Sequence, residues 1–289
     1  MQFICPIKIN LNLHVISKRK DNYHNLQSLV VFVDGGDRLS FYPVPSSFLG
    51  GRAYPQSQGT ECLQVNGPFA SMVPMDETNS ILRAHRAFEE AIRRPVAGRW
   101  YLEKTVPVGA GLGSASANAA GALRLLQAVN PLHEEKIVSI GKAIGSDVPA
   151  CLLSRSAIME GVGDRLTLAP DVIAPPLVIV FPSIMLSTKM MFNKLFSCQS
   201  RFSKKESMQN MKNIWATQNV FEAVACQEAP VIGEVLQALR ETTGCRLARL
   251  SGSGSACFGV YDTQDQGHVA SAALKARYPA MWVWSGAAV

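Results

Sequence analysis

The sequence predicts a mixed α and β protein of two domains, and three stretches carry that reading. Ile7 to Val15 alternates apolar and polar residues without a fault, the pattern of a strand with one buried face. Arg99 to Asn130 reads as a strand, a glycine-rich turn and an Ala/Leu-rich helix in succession. Pro175-Pro176 then interrupts the chain ahead of a buried apolar run, Leu177 to Val180, which sets the domain boundary near residue 170.

The composition suits such a fold. The chain has 289 residues, 47% of them hydrophobic and 17% charged, enough to bury a large core without covalent staples. No apolar run approaches the ~20 residues that cross a bilayer, and Met1 to Lys8 holds no basic-then-apolar leader, so we expect a cytoplasmic chain with no membrane partner. The seven cysteines are odd in number and scattered, with no C-x-x-C pair, which argues against a zinc site and a disulfide framework. They read as mostly buried free thiols. A net charge of +6 invites a nucleic-acid reading, but only Lys18-Arg19-Lys20 forms a compact basic run, and an anionic small molecule suits the same charge.

In chain order, the alternation over Ile7 to Val15 places Lys8, Asn10, Asn12 and His14 on one face, a polar row that hints at a cleft. Ser17 to Asn22 reads as a turn into a second strand, Tyr23 to Val33, whose first two residues pair a stacking ring with a hydrogen-bonding ring. Asp34-Gly35-Gly36-Asp37 reads as a further turn into a strand over Arg38 to Tyr42, followed by a Pro/Ser/Gly-rich loop to about Thr60. Asn79 caps a helix carrying Ile81, Leu82, His85, Phe88 and Ile92 on one stripe, closed by Arg93-Arg94 before Pro95. His85 reads there as a packed core-edge residue. Ile137 to Gly145 forms a short helix, and Ser146-Asp147-Val148-Pro149 follows it. Asp147, fixed between a helix end and a proline among small and apolar neighbours, is either a general base or the cap of the next turn. Ser156 to Asp164 reads as strand and turn, and residues 183–215 as helix and loop, with Ser187 and Thr188 placed to touch a ligand. A helix over Val220 to Leu239, interruptible at Pro230, a helix over Gln264 to Arg277 and a strand over Met281 to Trp284 complete the chain.

Two glycine-rich turns stand out. The first, Pro107-Val108-Gly109-Ala110-Gly111-Leu112-Gly113-Ser114-Ala115-Ser116-Ala117-Asn118, lacks the lysine of a P-loop and the G-x-G-x-x-G spacing of a dinucleotide turn. Its alternating glycines permit positive φ and a close approach of backbone N–H groups to a ligand, and its serines open a helix, so it reads as a phosphate cradle. A tight connection with no ligand is the alternative. The second turn, Ser251-Gly252-Ser253-Gly254-Ser255, lies between two strand-like runs and reads as a second anion-facing turn rather than a linker.

The Lys8 strand, the Gly109 loop, the Gly145-Ser146-Asp147 turn and the Gly252 turn, in this order over nearly the whole chain, resemble the motif set of the GHMP kinase superfamily. The resemblance implies an α+β protein: an N-terminal domain of the ribosomal protein S5 domain 2-like type over residues 1–170, and a C-terminal ferredoxin-like domain over 171–289. It places the active site in the cleft between them. It further implies ATP and Mg²⁺ as cofactors, with Asn79, Lys104, Pro107 to Ser116 and Asn118 around the nucleotide and Ser116 as a candidate Mg²⁺ ligand. Asp147 would take the proton of an alcohol, and Lys8 would keep that carboxylate ionised. Pro6 to Leu11 followed by Asp21 to Leu26 resembles a member whose substrate is cytidylated; there Tyr23 and His24 would read the base, with Asn10, Ser187, Thr188, Ser251 and Gly252 completing the substrate site. Phe192 and Phe32 are candidates for a second aromatic on the base, and a monomer or weak homodimer is expected.

The chain departs from the family pattern at three places. Ile7 stands where an alanine is usual, which suits a side chain pointing into the core. Ser114 and Ala115 replace two glycines of the loop, and Asn22 replaces the glycine before Tyr-His, a position where asparagine also accepts left-handed φ. Other readings remain: a related kinase of mevalonate, homoserine or a sugar, which would not need Tyr23-His24; a non-catalytic nucleotide binder; or a basic nucleic-acid module on the same fold.

Overall fold

The computed structural model describes residues 1–44, 62–197 and 202–287. The strands are β1 (Gln2–Asn10), β2 (His14–Lys18), β3 (His24–Pro43), β4 (Leu63–Asn66), β5 (Gly98–Glu103), β6 (Ala157–Gly161), β7 (Arg165–Leu168), β8 (Leu177–Phe181), β9 (Cys245–Leu250), β10 (Cys257–Tyr261) and β11 (Trp282–Gly286). The helices are α1 (Ser80–Ile92), α2 (Ser114–Val129), α3 (Glu134–Ile144), α4 (Val148–Leu153), α5 (Thr188–Ser197), α6 (Met208–Lys212), α7 (Glu222–Glu228), α8 (Pro230–Glu241) and α9 (Gln264–Arg277). The predicted loop up to Thr60 and Cys198 lie largely outside the described residues. None of the six described cysteines forms a disulfide, and three of them are buried.

The chain divides into two compact units. The first comprises Met1–Pro6, Gly36–Val108 and Ser114–Leu153. Its second stretch of β3 pairs antiparallel with β5, from Arg38 opposite Glu103 to Pro43 opposite Gly98, and β4 runs parallel to β5. Helix α1 turns the predicted stripe inward, and Asn79 caps it by accepting the Ile81 N–H at 2.8 Å. His85 on that stripe is buried: its Nδ1 accepts the Trp100 Nε1–H at 2.9 Å, so its Nε2 carries the proton and donates to Val96 O at 2.9 Å. Arg93 ends the helix in the left-handed conformation, φ 55°.

The second unit comprises Ile7–Gly35, Gly109–Gly113 and Ser154–Val289. The first stretch of β3 pairs with β2 and β6, and β6 with β7, all antiparallel. A four-stranded antiparallel sheet follows in the order β11-β8-β10-β9. In chain order that is fourth, first, third, second, with α7 and α8 before the second strand and α9 before the fourth, the split βαβ arrangement of a ferredoxin-like domain. Val178, Val180, Leu236, Leu239, Leu250 and Leu274 form its core.

Two expectations need correction. The nine-residue strand is broken, because β1 stops at Asn10 and β2 starts at His14. At the break the Asn12 Oδ1 accepts the Leu29 N–H at 2.7 Å, replacing a ladder bond, while Leu13 pairs instead with Gln218 and Val220. Asp34 to Asp37 is not a turn, since β3 runs unbroken for 20 residues. Its glycines serve packing: a Cβ on Gly35 would strike the Trp284 ring, and one on Gly36 the Cys5 carbonyl. The break that Pro230 offered in the helix over Val220 to Leu239 is present: α7 and α8 part at Ala229, and Pro230 opens the second.

Glycine substitutions should therefore act with opposite signs. We expect Gly36→Ala to lose about 1–3 kcal/mol in urea unfolding, because a methyl group has no room beside Cys5. Gly233→Ala, inside α8 with no atom nearer than 3.8 Å, should gain about 0.5–1 kcal/mol.

Candidate active site

In the second unit, residues Gly109 to Gly113 form a loop whose glycines all take positive φ, at 68°, 78° and 66°, while Ala110 and Leu112 do not. Alternation of this kind turns successive N–H groups toward one side, the geometry of an anion nest. Every carbonyl in the middle of the loop is tied down. Ala256 N–H donates to Ala110 O at 2.9 Å, the Ser251 hydroxyl to Gly111 O at 3.2 Å and the Lys8 N–H to Leu112 O at 3.1 Å. No backbone carbonyl among the described residues accepts an N–H from Gly109 to Gly113. The loop is thus held by its acceptors and presents its donors.

Close packing fixes the same loop. A Cβ at Gly111 would collide with Ser251 O, and one at Gly113 would lie 3.1 Å from Lys8 Cε. Lys8 is buried with Nζ donating to Asn10 Oδ1 at 3.0 Å, and Asn10 Nδ2 donates to the Ser28 hydroxyl at 2.7 Å. The buried Ser251 hydroxyl also accepts the Asn10 N–H at 3.3 Å. Gly252, at φ 58°, gives its carbonyl to Asn219 Nδ2 at 2.8 Å. Thr188, exposed at the start of α5, shares a hydrogen bond with Ser253 at 2.9 Å, and the Ser187 carbonyl accepts the Met191 N–H. Ile7 points into the core, as the substitution for alanine suggested.

Tyr23 and His24 follow the hairpin between β2 and β3. Asn22 there adopts φ 65°, and Arg19 and Tyr23 close the turn through a 2.8 Å backbone bond. Tyr23 is 65% exposed. His24 stacks almost parallel on Phe192 at 4.5 Å and on Phe196 at 4.8 Å, and its buried Nε2 has no hydrogen-bond partner. Burial and nearby Lys18 push its pKa down, so the ring is neutral. Phe192 therefore belongs to this aromatic group, whereas Phe32 is a core residue.

In the first unit, a cavity of about 260 Å³ is lined by Asn79, Lys104, Val108, Ser114, Ala115, Ser116 and Asn118 together with Pro74, Ile81 and Gly145. The first turn of α2 supplies Ser114 to Ser116, where helix N–H groups lack internal partners. The Ser114 hydroxyl donates to Pro107 O at 3.2 Å. Asp147 is half-buried just before α4, its carbonyl accepting the Cys151 N–H at 3.1 Å. Sequence reading missed Asp37, mistaken for a turn residue, and Asn219 and Arg249, whose buried side chains bind backbone carbonyls and carry no local signal.

The glycine loop of the second unit and the serine-lined helix opening of the first are each suited to phosphate. Residues 79–155 match the GHMP kinases N terminal domain, and residues 201–280 the GHMP kinases C terminal domain. Over 96% of its length the chain is 35% identical to the 4-diphosphocytidyl-2-C-methyl-D-erythritol kinase of Bradyrhizobium diazoefficiens, covering 95% of that protein. It is 38% identical to the corresponding kinase of Paramagnetospirillum magneticum, again over 96% of this chain and 95% of the other. The crystal structure of a 4-(cytidine 5'-diphospho)-2C-methyl-D-erythritol kinase superposes with a TM-score of 0.81 at 31% identity, covering 99% of this chain and 98% of that one. The chain is thus a small-molecule kinase of the GHMP class, with ATP as phosphate donor. It belongs to the 4-diphosphocytidyl-2-C-methyl-D-erythritol kinase family.

The buried imidazoles give a pH signature. Burial lowers the pKa of His14, against an opposing pull from Glu206, and lowers that of His24 as well. For a group depressed on folding, the unfolded chain binds the proton more readily, so stability rises with pH. The contribution of the two rings is complete above their unfolded value near 6.5 and is lost as pH falls through the folded values. We expect urea midpoints to drop between pH 7.5 and 5, with a shallower slope in a His14→Asn/His24→Gln variant.

Proposed function

We propose that this chain transfers the γ-phosphoryl group of ATP to the 2-hydroxyl of the erythritol unit of 4-diphosphocytidyl-2-C-methyl-D-erythritol, releasing the 2-phosphate and ADP, a step of isoprenoid precursor biosynthesis. The observation that carries the reading is the Gly109–Gly113 loop with bound carbonyls and free N–H groups, a cradle for phosphate oxygens that needs no loop lysine. Residues 1–170 act as the nucleotide-binding and catalytic domain and 171–289 as the C-terminal domain. Cysteines kept as thiols suit the reducing cytoplasm.

Phosphoryl transfer asks a protein mainly for positioning and charge stabilisation. Asp147 accepts the proton of the attacking hydroxyl, and Lys8 helps to orient that hydroxyl. Asn79, Lys104, Val108, Ser114, Ala115, Ser116 and Asn118 enclose the nucleotide. Ser116, which lines the cavity, would offer its hydroxyl to Mg²⁺ bound with the nucleotide, and the ion would supply neutralisation of phosphate charge. Tyr23 offers its exposed face to the cytosine, and the neutral His24, with an unused ring nitrogen, hydrogen-bonds its edge. Asn10, Ser187, Thr188, Ser251 and Gly252 surround the remaining substrate.

An ADP-release assay with ATP and Mg²⁺ tests this against mevalonate, homoserine and galactose. Only the cytidylated alcohol should turn over, and CDP should compete with it. Asp147→Asn should lower kcat by about 10²–10⁴-fold with little change in KM. Tyr23→Ala should raise KM for the cytidylated substrate about tenfold, the loss of one stacking face. Turnover of mevalonate or homoserine in preference would overturn the substrate assignment.

A further inference from the structure

Asp37 lies on β3, in the first unit, and its carboxylate is fully buried. Both oxygens are saturated. Oδ1 accepts the N–H groups of Thr105 at 2.8 Å and Val106 at 2.9 Å; Oδ2 accepts Lys104 Nζ at 2.5 Å and Asn118 Nδ2 at 3.0 Å. The Thr105 hydroxyl donates to the neighbouring Gly36 carbonyl at 2.8 Å. One carboxylate therefore binds β3, the segment leading into the glycine loop, and the second turn of α2. Two of the atoms it holds, on Lys104 and Asn118, belong to residues that line the 260 Å³ cavity.

Lys104 is 1% exposed, and its ammonium also donates to Val106 O at 2.6 Å. Two of its three protons have partners within the protein, so its charge is paired before any nucleotide arrives. We infer that Asp37 is a positioning residue of the nucleotide site: it orients Lys104 and Asn118 on the cavity wall and fixes the backbone at Thr105 and Val106 from which the glycine loop departs. The inference rests on the reading of this cavity as the ATP site.

Removing the charge at Asp37 turns an amide N–H₂ toward the Lys104 and Asn118 donors or frees the Thr105 and Val106 N–H groups, and either change moves the cavity wall. Asp37 touches no substrate, so its effect should fall on one ligand. Steady-state kinetics on Asp37→Asn, Asp37→Glu and, as a marker of the cavity, Ser116→Leu decide the matter. We expect KM for ATP to rise at least tenfold in Asp37→Asn and at least fivefold in Asp37→Glu, with KM for the cytidylated substrate within twofold of the parent. Asp37→Glu keeps the buried charge pair, so it answers the question even where Asp37→Asn does not fold. A folded Asp37→Glu protein with an unaltered KM for ATP, or with both KM values raised equally, overturns the inference. Ser116→Leu separates the two levels: an unchanged KM for ATP there refutes the cavity reading, while a raised one alongside a silent Asp37→Glu refutes the role of Asp37 alone.

Discussion

The glycine loop works because its carbonyls and its N–H groups have been assigned to different tasks. Lys8, Ser251 and Ala256 each donate to one loop carbonyl, and these three donors come from separate stretches of the second unit. With its acceptors bound, the loop cannot collapse into a local turn that would consume its own donors. The requirement for positive φ explains glycine at 109, 111 and 113, and the contact with Ser251 explains why Gly111 tolerates no side chain. An anion held by such dipoles needs no mobile lysine in the loop, which is why the P-loop pattern is absent.

The row Lys8, Asn10, Asn12 and His14 follows from the same arrangement. All four are buried, and burial of polar groups is costly unless each finds a partner. Asn10 bridges Lys8 and Ser28; Asn12 accepts from Leu29 and donates to Met211 O and Thr217. These bonds fix the backbone that supplies the Lys8 N–H to the loop. His14 and His24 each keep an unpartnered buried Nε2, and burial holds the pKa of each below its ordinary value.

Patterns with a short range were legible in the sequence. The α1 stripe with its Asn79 cap, the glycine turn opening α2, α9 and the left-handed Asn22 all depend on residues close together in the chain. What escaped depended on distant partners. Gly35 and Gly36 look like a turn until Trp284 and Cys5 are known to press against them, and Asn12 breaks a perfect alternation only because Leu29 offers an N–H. The site divides the same way. Loop, helix opening and aromatic pair could be read directly, whereas Phe196 against His24, and Ser251 as a brace for Gly111, required the fold.

Asp37 and Lys104 show why a buried ion pair is better understood through geometry than through stability. Desolvating both charges offsets most of their attraction, so a well-packed apolar pair of similar volume would hold the fold about as firmly. Desolvation indeed pulls the Lys104 pKa down, with Asp37 acting against it, and the same dry surroundings push the Cys5 thiol up to about 12, leaving it inert. An apolar pair could not, however, receive two backbone N–H groups and a side-chain amide while holding the ammonium of a residue that lines the cavity. The arrangement buys little stability and fixes four donors at once, and a site whose chemistry is chiefly positioning depends on donors that do not wander.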